Sequence, residues 1–201
     1  MSTSDPTAFD DRFQKAIQRF NDENARDPNT EVEDGVAYPR ELLYARRLAD
    51  WVLRLCPDAS EELRLASYCQ HLCRWMKPRQ SYEMSRIGYL RWRNDLKAFH
   101  AEKSGQILRQ VGYPEQVVQR VQALNLKKGF PSDPASRVLE DALCLVFLQY
   151  QFAELAHRTD GEKMVGILRK TWRKMTPAAQ RAALQLPYDA TAQALLDQAL
   201  T

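Results

Sequence analysis

Four ionisable side chains stand where amphipathic helices ought to present hydrocarbon. Glu41 leads the stripe of Ala45, Leu48 and Val52, spaced by fours and threes along one helix face. His71 interrupts "SYCQHLCRW", residues 67–75, between Tyr68 and Trp75. His100 continues the stripe of Trp92, Leu96 and Ile107, and Asp141 shares a face with Val138, Leu145, Leu148 and Phe152. A carboxylate buried without a partner costs several kcal/mol and takes up a proton rather than stay charged. A metal ion, a cationic partner or a water-filled cleft removes that cost. If the four stripes converge, they make one polar pocket inside an apolar bundle, which is how bundle-core metal and active sites are built. Glu41, His71, His100 and Asp141 would be the groups of that pocket. Each also has a plainer reading. Glu41 lies in the first turn of its helix, where the dipole favours a carboxylate. His71 and His100 would serve as hydrogen-bonded core histidines, and an arginine of a neighbouring helix would satisfy Asp141.

Three tryptophans stand among cations, in "CRWMKPR", "LRWRNDLK" and "LRKTWRKM". Guanidinium groups suit bidentate contact with phosphate and indole faces can stack bases, so a helical module binding RNA or another polyanion is one alternative function, and an interaction protein with a vestigial site is the other. Against the first, Trp172 keeps core spacing with Leu168 and Met175, and Trp92 joins Leu96. Arg74 lies three residues after His71, and Lys97 three before His100. Cys69 and Cys73 lie four apart, yet a structural zinc needs two more ligands and there is no second cysteine pair. There is no phosphate-cradling glycine loop and no nucleophile elbow.

The elements that must position these groups are all helices. No stretch sustains period-two alternation, and nearly every segment has helical period. Phe13, Ala16, Ile17 and Phe20 mark the first helix, and the polar stretch at about 25–38 reads as a loop. Pro39 suits the first position of a second helix running to about Leu55. Asp58 or Ser60 caps a third, which ends near "WMKPR". A long fourth helix covers about Ser85 to Val111 and stops at Gly112. The fifth has Pro114 near its start and Gly129 beyond its end. The sixth begins at Asp133-Pro134 and is apolar all round from Ala142 to Leu148, hence central. "DGEKMVGILRKTWRKM" is the seventh. Two shorter helices start at Thr176-Pro177 and Asp189, forming a C-terminal extension over 176–201. The expectation is a single all-α domain over residues 1–201, a helical bundle.

Composition bounds the function. A net charge of +3 is too small to argue for nucleic acid. The apolar run "ALCLVFL" is far short of the roughly 20 residues that span a bilayer, so no membrane partner is expected. Four cysteines without a secreted-framework spacing, and an N-terminus without a signal-peptide pattern, suggest reduced thiols and a cytoplasmic protein.

"YPRELLYARRLADWVLRLCPDAS", "RWRNDLKAFHAEKSGQIL", "LEDALCLVFLQ" and "LRKTWRKM" closely resemble the family catalogued as domain of unknown function 4202, over about Phe13 to Pro187. A more distant similarity is to the HD superfamily of helical metal-dependent phosphohydrolases. There a histidine early in one helix, a His-Asp pair ending another and a later aspartate bind a divalent metal. "LASYCQHLCRW" looks like the helix of the pair, with His71 in the histidine position, and "LEDALCLVF" looks like the helix supplying Asp141. Leu72 stands where the pair's aspartate belongs, and Glu41 where the first histidine does. The resemblance implies HD-like orthogonal packing of the helices, and a divergent metal-dependent phosphohydrolase acting on a phosphorylated small molecule such as a nucleotide. His71 and Asp141 would hold the metal, with Glu41 and His100 as the catalytic groups, either supplementary ligands or proton carriers, while Arg74 and Lys97 position the anion.

Overall fold

The computed structural model describes residues 11–201. Its ten helices form one all-α body, with a two-stranded hairpin as the sole sheet among the described residues. Helix α1 spans Asp11–Asn24, α2 Arg40–Leu55, α3 Glu61–Cys69, α4 Arg86–Val111 and α5 Glu115–Asn125. Then follow α6 (Pro134–Val146), α7 (Phe152–Ala156), α8 (Gly161–Trp172), α9 (Pro177–Ala183) and α10 (Ala190–Leu200).

Helix starts obey local hydrogen bonding. Ser60, Ser85, Asp133, Asp160, Thr176 and Asp189 each accept a backbone N–H from the first turn of the helix they precede. Gly112 closes α4 at φ +89°, a left-handed terminus that only glycine adopts without steric cost. Helix α2 differs. Its cap position is Pro39, whose ring carries no hydrogen-bonding group, and the buried Asp27 takes over by accepting from the Glu41 N–H at 3.1 Å.

The polar stretch expected as loop holds strands β1 (Thr30–Glu33) and β2 (Val36–Pro39), paired antiparallel with Thr30 opposite Pro39 and Glu33 opposite Val36. Asp34 and Gly35, both at positive φ, make the turn. Arg47 of α2 anchors the hairpin by pairing with Glu31 and, at 3.0 Å, with Glu33. Helix α3 stops at Cys69, shorter than its pattern suggests. Residues 70–73 turn, and Cys73 sits at φ +54° with its N–H on Asn24 Oδ1 of α1 at 3.0 Å. His71 therefore lies on a turn rather than on a helix face. The sixth helix is likewise interrupted, by a widened π turn at Phe147–Gln151.

Leu48, Val52, Leu65, Leu108, Val121, Leu145, Phe152, Met164 and Leu168 form the continuous core, in which α2 packs on α3 and α6 and α4 packs on α5. Residues 176–201, expected as an extension, add Ala179, Ala183 and Ala192 to that core. No helix among the described residues is long and apolar enough to cross a membrane.

Candidate functional site

A cavity of about 280 Å³ opens between the 70–73 turn, α4, the end of α5, the α6–π segment and the end of α8. His71 forms part of its wall, and the ring stacks on Tyr44 with centroids 3.9 Å apart and planes 11° apart. Behind it stands Glu41, whose Oε2 is 3.3 Å from His71 Nδ1 and whose Oε1 is 3.9 Å from Arg74. The imidazole nitrogen lies off the line of a hydrogen bond and has no hydrogen-bond partner. Burial pushes the Glu41 carboxyl up to about 7, with Arg74 opposing. Burial also holds the His71 imidazole well below its usual range, assisted by Arg74, Arg93 and Lys127. Below about pH 7 carboxyl and imidazole thus form a neutral pair beside the cavity.

His100, also in the wall, donates Nδ1–H to the Leu72 carbonyl at 2.9 Å, which leaves Nε2 as the lone-pair nitrogen. Burial, then the neighbouring His71, lowers it to about 3. The residue at the position of the missing aspartate contributes in another way: the Leu72 side chain is fully buried in the core, and its backbone carbonyl orients His100.

The lining is strongly cationic. Arg74 from the turn, Arg93 and Lys97 from α4, Lys127 from the loop after α5 and Lys174 from the end of α8 all face the cavity. Its one lining carboxylate is Glu140 of α6, which pairs with Lys127 and, at 3.4 Å, with Lys174. Burial works to raise the Glu140 carboxyl, and the two lysines together outweigh it and hold it below the usual range. Neither Arg93 nor Lys97 has a carboxylate in ion-pair contact among the described residues. Burial lowers the Lys97 ammonium, and Lys127, Arg93 and Lys174 add to the effect by repulsion. Gln70, 5% exposed, contributes an amide oxygen with no hydrogen-bond partner.

Five of the six predicted residues come together here: His71, His100, Arg74 and Lys97 in the wall, and Glu41 directly behind. Asp141 does not join them. It is buried, and it accepts from Thr176 N at 2.9 Å and from Thr176 Oγ1 at 2.5 Å, tying α6 to the start of α9. Glu140, its neighbour in sequence, takes the cavity position instead. Consecutive helical residues point about 100° apart, and on a helix covered on most sides the apolar stripe does not tell which of two adjacent carboxylates faces the cleft. Lys127 was missed because it lies beyond α5 at φ +57°, where no periodicity applies. Arg93 and Lys174 were visible in the tryptophan-flanked basic runs. The indoles themselves are packed: Trp92 is 8% exposed and donates to the Lys77 carbonyl at 2.8 Å, with Arg74 over its ring.

A resident divalent metal, which the HD resemblance implies, does not fit this donor set. Both Asp141 oxygens are engaged by Thr176, and a wall of five cations repels a metal ion. Among the described residues no group of three or more His, Cys, Asp or Glu side chains is arranged to hold one.

Fold and site together define a single-domain all-α protein with a cation-lined cavity backed by a carboxyl–imidazole pair. Residues 14–196 match the family described as domain of unknown function (DUF4202), and the chain belongs to that family. No curated protein and no solved structure matches it.

Proposed function

We propose that the cavity binds a small phosphorylated molecule and that the Glu41–His71 pair transfers a proton during hydrolysis of its phosphate ester. The observation that carries this reading is the convergence of Arg74, Arg93, Lys97, Lys127 and Lys174 on one cavity whose lining has a single carboxylate. Such a wall is costly for an empty pocket and favourable around an anion. A volume of about 280 Å³ lies at the small end of ligand pockets, roughly 300–1,000 Å³, and suits a compact molecule.

The proton chemistry follows from the charge of the ligand. In the free protein His71 is uncharged because it is buried among cations. A phosphate dianion cancels part of that repulsion and raises the affinity of the imidazole for a proton, and the Glu41 carboxyl behind it is the donor at hand. Water then attacks phosphorus as the ester P–O bond breaks, His71 as general acid gives its proton to the leaving oxygen, and the proton lost by the water restores the Glu41–His71 pair. His100, fixed by the Leu72 carbonyl, stands beside His71 with ring centroids 5.9 Å apart. This remains the phosphohydrolase reading that the HD resemblance suggests, with no step routed through a metal.

Calorimetry with inorganic phosphate, and phosphate release from a panel of phosphomonoesters with and without EDTA or manganese, tests it. The expected result is phosphate binding that Arg93→Ala/Lys97→Ala weakens at least tenfold. His71→Ala should keep binding and lose turnover. Absence of phosphate binding at 10-fold excess over about 1 mM overturns the reading. RNA binding that falls steeply with salt and survives His71→Ala would instead favour a polyanion-binding module.

A further inference from the structure

We infer that the ligand of this cavity carries two phosphoryl groups rather than one. The inference rests on the phosphate-binding reading above and extends it to a substrate class.

Charge matching is the first support. Five cations against Glu140 leave the lining about four charges positive, and about three once Glu41, beside Arg74, ionises above about pH 7. A phosphate monoester brings about −1.5 to −2 at neutral pH, so one phosphoryl group leaves a third to a half of that charge uncompensated. Two phosphoryl groups neutralise it. The grouping of the cations by partner is the second. Arg93 and Lys97, one turn apart on α4, form a pair with no carboxylate contact. Lys127 and Lys174 form another on α5's trailing loop and the end of α8, bridged by Glu140. In the first pair Arg93 donates to the Tyr89 hydroxyl at 3.1 Å, and neither cation has a carboxylate to give up on taking one phosphoryl group. The second pair is held near its working position by Glu140 and takes the other, as the lysines exchange part of their carboxylate contact for phosphate oxygens. Gln70 supplies a buried, unpartnered acceptor in the same wall, which fits a hydroxyl or amine on the ligand's body. The backbone supports this assignment. Lys127 sits at φ +57°, a conformation that costs a side-chain-bearing residue about 1 kcal/mol and places its ammonium on Glu140.

Isothermal titration at pH 7.5 and constant 0.15 M ionic strength compares inorganic phosphate, pyrophosphate and ribose 1,5-bisphosphate. At that ionic strength exposed charges are screened beyond about 8 Å, so loose surface binding is suppressed. The expected result is that pyrophosphate, with adjacent phosphoryl groups, or ribose 1,5-bisphosphate, with separated ones, binds at least tenfold tighter than phosphate. Which of the two it is fixes the spacing. Lys127→Gln/Lys174→Gln should collapse that preference to less than threefold while phosphate still binds. Glu140→Gln, which removes the single lining carboxylate, should increase it severalfold. Far-UV circular dichroism verifies that the variants are folded, and Glu140→Gln serves if the double variant is not. Phosphate binding with a preference below twofold overturns this inference and leaves the phosphate reading standing. A preference that neither variant changes also overturns it, since the anions would then bind elsewhere. Binding of none of the three overturns both.

Discussion

Glu41 offers the sharpest test of the site's electrostatics, through the substitution Glu41→Gln. In the unfolded chain this carboxyl releases its proton near 4.5, and in the folded protein burial keeps the proton on until about 7. Between those values the folded state binds a proton that the unfolded state has lost, so this group's contribution to stability is fully present below about pH 4.5 and declines as pH rises through 7. Roughly two and a half pH units at about 1.4 kcal/mol each come to about 3 kcal/mol of destabilisation at pH 8, the cost of a charged carboxylate 6% exposed behind His71. Glutamine is isosteric with the protonated acid and carries no charge at any pH. The variant should therefore match wild type near pH 4.5 and exceed it by about 3 kcal/mol at pH 8. For a chain of this length that is about 6–12 °C in Tm. The histidines act with the opposite sign. His71 and His100 are held below their unfolded value near 6.5, so the unfolded state takes up protons that the folded one refuses, and stability is lost as pH falls below about 6.5. Both remain in the variant, and the difference between the two curves isolates Glu41. The assay is urea denaturation of both proteins at half-unit steps from pH 4.5 to 8. A difference that stays flat across that range would refute the neutral-pair account. A variant less stable than wild type at pH 8 would refute it too, by making the Arg74 and His71 contacts outweigh desolvation.

The remaining predictions concern the scaffold and the cavity wall. Asp141→Ala removes an acceptor of two hydrogen bonds from Thr176 and should cost about 2–4 kcal/mol in urea, while phosphate affinity stays within twofold of wild type. A metal- or ligand-holding role for Asp141 predicts the reverse pattern. Gly88→Ala would bring a methyl group 2.1 Å from the Glu83 carbonyl oxygen, so the 83–85 loop must move, and chemical denaturation should show a loss of about 1–3 kcal/mol. Thr176→Val deletes both the cap of α9 and one Asp141 contact, and should lower stability by about 1–2 kcal/mol.

How far the sequence foresees the structure depends on the range of the forces involved. Caps at Ser60, Ser85, Asp133, Asp160, Thr176 and Asp189, and the glycine stop at Gly112, are legible because each is a hydrogen bond or a backbone conformation settled within four residues. The hairpin at Thr30–Pro39 has a local signal too, Asp34-Gly35 between two short runs. Its strands lack an apolar alternation, though, because they are held by Arg47 through Glu31 and Glu33 rather than by a buried face. The early end of α3 left no local mark, since the left-handed Cys73 is tied down by Asn24, forty-nine positions away.

By itself, then, the chain determined its class of fold, the starts of its helices, and the fact that Glu41, His71 and His100 had to be accommodated on apolar surfaces. Those properties follow from side-chain type and helical period, which act locally. Only the tertiary structure decided that Glu140 and not Asp141 faces the cavity, and that Lys127 and Lys174 meet there on one carboxylate. It also decided that Glu41 stands behind His71. Convergence of groups from separate helices depends on how those helices pack, and the angle at which one packed face meets another is a property of the whole core rather than of any segment.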